Sequence, residues 1–281
     1  MSEHTEIENV RVGFIGAGNM ASALIDGLLA NGWHAAQMSA SDTDQSRLNL
    51  LAEKGVTTCN DNQSVIENST IVILAVKPQV MHEVLAPLQE SLVNHPCLLV
   101  SIAAGISMAN LQSWTHSEQA IVRCMPNTPA LVQAGASALF ANASCSDIQK
   151  SKASDVLKAV GIVTWLSKEQ DMDAVTALSG SGPAYFFLLM EAMQKAAESL
   201  GLDSDTAELL CQQTALGAAK LAQSSDVDVE ELRHRVTSPG GTTEAAIRQF
   251  ESEDFSGIVG RALDEAAQRS LELAAPTATD E

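Results

Sequence analysis

Short apolar runs recur through the first half of the chain, at 10–15, 36–41, 70–76, 97–102 and 121–124. They are rich in Val, Ile and Leu and end at Gly, Asp, Asn or Pro. Most are apolar on both faces, as strands become when helices cover both sides of a parallel sheet. Between them the spacing predicts helices over 19–31, 44–54, 62–68 and 79–92. That alternation of strand and helix argues for a doubly wound α/β sheet. Two further runs, 135–140 and 162–166, flank a predicted helix at 146–160 and extend the sheet.

From about residue 169 the pattern changes. Strand signals stop, and long Ala- and Leu-rich helical patterns cover 183–200, 203–223 and 254–273, with shorter ones at 228–235 and 243–251. Apolar positions such as Leu209, Leu210, Leu216 and Ala219 are too many for one small bundle to bury. Helices apolar on several faces need partners, so a dimer built through this half is expected. Packing of these helices back onto the first domain is the competing arrangement. The expected organisation is a Rossmann-type domain over 1–168, followed by an all-α substrate-binding and dimerisation domain over 169–281.

Composition narrows the class. In 281 residues, 46% are hydrophobic and 18% charged, which suits one large or two medium globular domains. The net charge of −19, with extra acid at Glu3, Glu6, Glu8, Asp280 and Glu281, repels nucleic acid and anionic membranes. Cys59, Cys97, Cys124, Cys145 and Cys211 form no CxxC pair and fit a reducing compartment. The stretch 1–9 is polar, unlike a signal peptide, and the longest apolar run, 184–190, is too short to span a bilayer. A cytoplasmic protein is expected. No metal-binding cluster is visible.

The strongest generic motif is Gly16-Ala17-Gly18-Asn19-Met20-Ala21, which follows a strand and opens a helix. In a dinucleotide site Gly16 permits the tight turn, Gly18 lets the pyrophosphate approach the backbone, and Ala21 lets the helix pack on its strand. The free N–H groups of the helix start then hold the phosphates.

Three other strand ends belong to the same edge. Asp42 closes the second strand, where an acid bonds the adenosine ribose hydroxyls and selects NAD. Ser39, Ser41, Thr43 and Arg47 nevertheless offer groups for a 2′-phosphate, and Asp42 also suits a helix N-cap. The cofactor is therefore NADPH or NADH. Lys77, in Ala75-Val76-Lys77-Pro78, can reach phosphate or ribose, and the small residues Ala103, Ala104 and Gly105 leave room for the nicotinamide.

Three blocks have no generic explanation: Met125-Pro126-Asn127-Thr128-Pro129, Ser179-Gly180-Ser181-Gly182-Pro183-Ala184-Tyr185, and Ser238-Pro239-Gly240-Gly241-Thr242-Thr243-Glu244. With the glycine loop and Ala75–Pro78, they resemble the pyrroline-5-carboxylate reductase family in order and spacing, over about 10–272. The resemblance implies reduction of the cyclic imine 1-pyrroline-5-carboxylate to L-proline by NADPH or NADH, the last step of proline biosynthesis. It implies an obligate dimer, which in this family often assembles into decamers. It also implies cofactor contacts from Ile15, Gly16, Ala17, Gly18, Asn19, Met20, Asn62, Ala75, Val76, Lys77, Pro78, Ala103, Ala104 and Gly105. Substrate contacts would come from Ser238, Gly240, Gly241, Thr242 and Thr243, with the Thr243 hydroxyl facing the ring nitrogen. Two positions depart from the family: Asp42 stands where a phosphate-reading serine is usual, and Arg235 where an asparagine near the nicotinamide is common.

The residues allow that chemistry. A ketone reductase needs a strong proton donor, but a protonated imine is already electrophilic, and a neutral hydroxyl such as that of Thr243 can orient or relay its proton. The turn at Ser238–Gly241 resembles a backbone nest for the substrate carboxylate, or is a plain interhelical turn whose threonines cap the next helix. Ser181 and its block either line the pocket or mark a helix boundary, with Ser181 as cap and Pro183 in the first turn. None of His4, His34, His82, His95, His116 or His234 lies in these blocks. Two alternatives remain: a β-hydroxyacid dehydrogenase, which would need Lys195 or Lys220 as its catalytic lysine, and a non-catalytic NAD(P) sensor.

Overall fold

The computed structural model describes residues 10–274. His4, the polar stretch 1–9 and the acidic residues near both ends lie outside them. The described chain falls into two compact units, one of residues up to Ser181 together with those from Ala266 on, the other Gly182–Glu265.

The first unit is built on an eight-stranded sheet: β1 (Val12–Ile15), β2 (Met38–Ser41), β3 (Thr57–Thr58), β4 (Ile71–Leu74), β5 (Leu98–Ser101), β6 (Ile121–Met125), β7 (Gly135–Ala141) and β8 (Gly161–Trp165). Their order is β3-β2-β1-β4-β5-β6-β7-β8. All neighbours are parallel except β6 and β7. Chain order reverses between β1 and β4, the switch point where an open α/β sheet leaves a crevice for ligands.

Alternating side chains feed two cores. Val12, Phe14, Ile71, Ile73, Leu98 and Val100 pack on one face, and Ile15, Val72, Leu74 and Leu99 on the other. Both faces are covered by helices: α1 (Asn19–Ala30), α2 (Gln45–Glu53), α3 (Asn62–Glu67), α4 (Met81–Leu85), α5 (Gln89–Asn94), α6 (Met108–Ser113) and α7 (Asp147–Lys158). Burial on both sides explains why these strands read as continuous apolar runs.

Several elements differ from the expected ones. The helix expected over 79–92 is split into α4 and α5 by a 3-10 turn at Ala86–Leu88. Pro87 lacks the N–H a helix needs and crowds the carbonyl four residues back. The strand expected from 36 begins at Met38, because Ala35–Gln37 form a 3-10 turn. The short exposed strand β3 and helix α6 carry too little periodic signal to be read from sequence.

After β8 come α8 (Asp171–Val175) and a π-helical turn (Thr176–Gly180). The second unit holds α9 (Gly182–Ser199), α10 (Ser204–Ser224), α11 (Val229–Arg235), α12 (Thr242–Ser252) and the start of α13 (Phe255–Ala274), whose end belongs to the first unit. Large apolar side chains stand out from this unit, among them Phe186 at 65%, Leu188 at 67% and Leu209 at 67% exposure. No helix among the described residues is long and apolar enough to cross a membrane.

Candidate functional site

Register aligns the carboxyl ends of the central strands. Ile15 pairs with Ser41 and with Leu74, Leu74 with Ser101, and Ser101 with Arg123. The residues just beyond this row therefore form one edge: Gly16, Asp42, Ala75 and Ile102, with Ala103 one position farther on.

The glycine loop is tied to its neighbours on that edge. Gly16 has φ 98, a left-handed conformation that excludes most side chains. A Cβ there would also stand 2.7 Å from the Ala75 carbonyl oxygen. The Gly16 N–H donates to the Ser41 carbonyl at 2.8 Å, and the Ala17 N–H donates to Asp42 Oδ2 at 2.6 Å. Gly18 is the N-cap of α1 and supplies no side-chain cap. The first-turn N–H groups have no intrahelical acceptor. A Cβ on Gly18 would meet only the Arg47 guanidinium, at 3.8 Å. An uncapped helix start under an open space fits a diphosphate. Asn19 is exposed and Met20 half-buried beside it.

Around this loop the other edge residues take distinct places. Asp42 Oδ1 accepts the Asp44 N–H at 2.8 Å. Asp42 is not the helix cap. Asp44 fills that role, accepting the Ser46 N–H at 3.0 Å. The Ser46 hydroxyl, its backbone N–H and the Arg47 charge hold the Asp44 carboxyl below its ordinary range. Ser41 Oγ donates to Asn62 Oδ1 at 2.7 Å, which fixes Asn62 at the start of α3. Ser39 lies deeper, buried against the Ser69 hydroxyl. Ala75, Val76 and Pro78 are half-buried, while Lys77 is exposed and has no ion-pair partner among the described residues.

Farther along the edge, Ser101 is buried, and its hydroxyl has no hydrogen-bond partner among the described residues. An orphaned hydroxyl beside small residues fits a polar group of a bound ligand. Ala103 and Ala104 are half-buried, and a Cβ on Gly105 would lie 3.1 Å from Leu273 Cβ in the last helix. Glu169 accepts the Met108 N–H at 2.6 Å and pairs with the Arg123 guanidinium, joining the start of α6 to β6. This clamp has no local sequence signal, because its members lie far apart in the chain.

The three specific blocks also find places. Asn127 donates to the Ser179 carbonyl, so the first block holds the π-turn of the second. Ser181 is not the expected N-cap but the C-cap of the π-turn: its φ −84 and ψ −19 are helical, and its N–H reaches back to the Thr176 carbonyl at 2.8 Å. The expected helix boundary is thus a π-turn leading into α9.

In the third block Gly240 has φ 72, and its N–H donates to Glu244 Oε2 at 2.8 Å. The Gly241 N–H donates to the Ser238 carbonyl at 3.0 Å. The turn therefore does hold a carboxylate, that of Glu244. Gly241, not a threonine, is the N-cap of α12, which leaves Thr242 and Thr243 inside the first turn. Both threonines are exposed, and their hydroxyls have no partner among the described residues.

Other candidates are engaged elsewhere. Arg235 Nε donates to Glu231 at 2.8 Å, and Lys195 pairs with Glu191 on its own helix. His82 packs on Trp114 with ring centroids 5.4 Å apart. Among the described residues no group of three or more His, Cys, Asp or Glu could hold a metal.

Residues 169–273 match the family model described as Pyrroline-5-carboxylate reductase dimerisation, and residues 11–105 match NADP oxidoreductase coenzyme F420-dependent. The chain is 52% identical over 265 residues to a pyrroline-5-carboxylate reductase of Pseudomonas aeruginosa, covering 94% of this chain and 97% of that one. It is 46% identical to one of Pasteurella multocida, over 92% of this chain and 96% of the other. Among solved structures it is similar to a pyrroline-5-carboxylate reductase from Coxiella burnetii, with 42% identity and a TM-score of 0.91 over 95% of this chain and 99% of that one. It is also similar to the Plasmodium falciparum pyrroline carboxylate reductase with NADP bound, with 31% identity and a TM-score of 0.85 over 95% and 99% of the two chains.

Proposed function

This chain belongs to the pyrroline-5-carboxylate reductase family, and from that membership we propose that it reduces the C=N bond of 1-pyrroline-5-carboxylate to give L-proline. The observation that carries this reading is the likeness to enzymes of that name along nearly the whole chain. Bound NADPH or NADH supplies the hydride, which adds to the imine carbon while the protonated ring nitrogen keeps the electron pair of the C=N bond.

The residues suit that task. Ile15 to Met20 form the diphosphate loop, and Asp42, Asn62, Ala75 to Pro78 and Ala103 to Gly105 line the cofactor edge. Residues 238–243 bind substrate, with the first-turn N–H groups of α12 and its positive end favouring the carboxylate. The Thr243 hydroxyl, at the second position of that helix and without a partner among the described residues, orients the ring nitrogen and its proton. Ser181 completes the set of residues assigned to the substrate. Catalysis then rests on positioning and electrostatics and needs no nucleophile.

Residues 1–168 serve the cofactor, and 169–281 serve substrate binding and self-association. The exposed phenylalanines and leucines of α9 and α10 support a dimer formed through the second unit. Assembly of dimers into a decamer and a cytoplasmic location complete the reading.

The test is oxidation of NADH and NADPH in the presence of pyrroline-5-carboxylate, with proline identified as product. Turnover supports the reading. No turnover with either cofactor, in folded and self-associated protein, would overturn it.

A further inference from the structure

Asp42 is the residue whose position suggests a choice between the two cofactors, yet its carboxylate is committed elsewhere. One oxygen takes the Ala17 N–H at 2.6 Å and the other the Asp44 N–H at 2.8 Å, with the side chain 9% exposed. Held this way, Asp42 braces the glycine loop against the end of β2. The exposed positive charge at this edge is Arg47. Its side chain is half exposed, its Nε lies 3.3 Å from Asp44 Oδ2, and its Nη1 lies 3.7 Å from Asp42 Oδ2. The same Nη1 hangs over the glycine loop, 3.8 Å from where a Cβ on Gly18 would stand. The adenosine ribose of a dinucleotide lies between the glycine loop and the end of the second strand.

Building on the proposed cofactor site, we infer that Asp44 sets this chain's discrimination between a ribose 2′-hydroxyl and a 2′-phosphate, by holding the Arg47 guanidinium that would otherwise bind the phosphate. Arg47 is the one cation within reach of Asp42 and Asp44 among the described residues. Two carboxylates and one guanidinium leave the edge with a formal charge of −1 before any ligand arrives. A phosphate dianion must draw Arg47 from Asp44 and then sit beside two carboxylates. A ribose diol meets neither penalty. The sequence signal is the Asp-x-x-Arg spacing across the helix start, which places the two side chains on one face.

Asp44→Ser separates charge from structure. Serine caps a helix about as well as aspartate, so the start of α2 is kept while the competitor for Arg47 is removed. The readout is calorimetric binding of NADP+ and NAD+ to the full chain, which needs no turnover. Removal of one charged competitor should raise the ratio of NADP+ to NAD+ affinity about tenfold. Arg47→Gln should lower that ratio about tenfold, and Asp44→Ser should bring no gain when Arg47 is already Gln. An unchanged ratio in Asp44→Ser, or a gain that persists without Arg47, overturns the inference. Failure of the wild-type protein to bind either dinucleotide overturns the cofactor site itself. Binding with the expected ratios but no imine reduction would overturn only the proposed reaction.

Discussion

The side-chain amide of Asn127 donates to the Ser179 carbonyl at 3.0 Å, while its oxygen accepts the Ala136 N–H at 2.8 Å. One side chain thereby ties the turn after β6, the start of β7 and the π-turn before Ser181. Two sequence blocks that lie far apart and lack local explanations meet in this contact. A π-turn leaves its carbonyls out of the regular ladder and often marks a functional position.

Asn127→Ala removes donor and acceptor together. It leaves the Ser179 carbonyl and the Ala136 N–H to find other partners, which costs about 1–3 kcal/mol when such groups stay buried. Urea unfolding should show a loss in that range. Asn127→Asp keeps the acceptor for Ala136 but sets a carboxylate against the Ser179 carbonyl, so it should not recover the loss. If Asn127→Asp equals the wild type, the contact to Ser179 contributes nothing.

Thr243→Ala should lower turnover far more than it weakens cofactor binding. The Thr243 hydroxyl is exposed on the first turn of α12 and has no partner among the described residues, so its removal should leave the fold undisturbed. Loss of one orienting hydrogen bond in the transition state corresponds to roughly a hundredfold drop in kcat. Thr243→Ser keeps the hydroxyl and should retain most activity. Equal turnover in wild type and Thr243→Ala would remove Thr243 from the mechanism.

The sheet was readable in the chain because covered parallel strands must be apolar on both faces, so 70–76 and 97–102 announce themselves. β3 was not, since Thr57 and Thr58 are exposed and add only two residues to the sheet's edge. The glycine loop was legible from Gly16, whose conformation favours glycine over larger residues. The partners of Asp42 were hidden, because one is a backbone N–H in that same loop. Thr243 shows the same limit from another side: its block is distinctive, but only the backbone reveals Gly241 as the cap and leaves the hydroxyl free. Arg123 and Glu169 pair across a long loop closure that leaves no periodic trace.

In the proposed substrate site, Glu244 and the substrate carboxylate would share one donor. Its carboxylate accepts the Gly240 N–H at 2.8 Å, in the turn proposed to hold the substrate carboxylate. Glu244→Gln keeps an acceptor for that N–H and removes the like charge. The KM for pyrroline-5-carboxylate should fall roughly threefold, as expected for one partly screened charge interaction. Steady-state kinetics at saturating cofactor decide this. A raised KM would mean that the Glu244 charge supports the turn rather than opposing the ligand.

Burial governs the thiols. Cys97 and Cys124 are pushed up to about 12 from an ordinary 9.0 by removal from water, only slightly offset at Cys124 by a hydrogen bond from Ser137. Both are neutral at pH 8, and a neutral thiol is a poor nucleophile. A thiol-specific disulfide reagent should therefore react slowly with Cys97 and Cys124 in the folded protein at pH 8 and titrate all five cysteines once it is unfolded. The same shifts bear on stability. A group whose folded pKa is raised contributes fully below its unfolded value, and that contribution is lost as pH rises through the window from 9.0 toward 12. The urea midpoint of the wild type should then fall more steeply between pH 9 and pH 11 than that of a Cys97→Ala, Cys124→Ala double variant. Parallel slopes would show that these thiols ionise as readily in the folded chain as in the unfolded one.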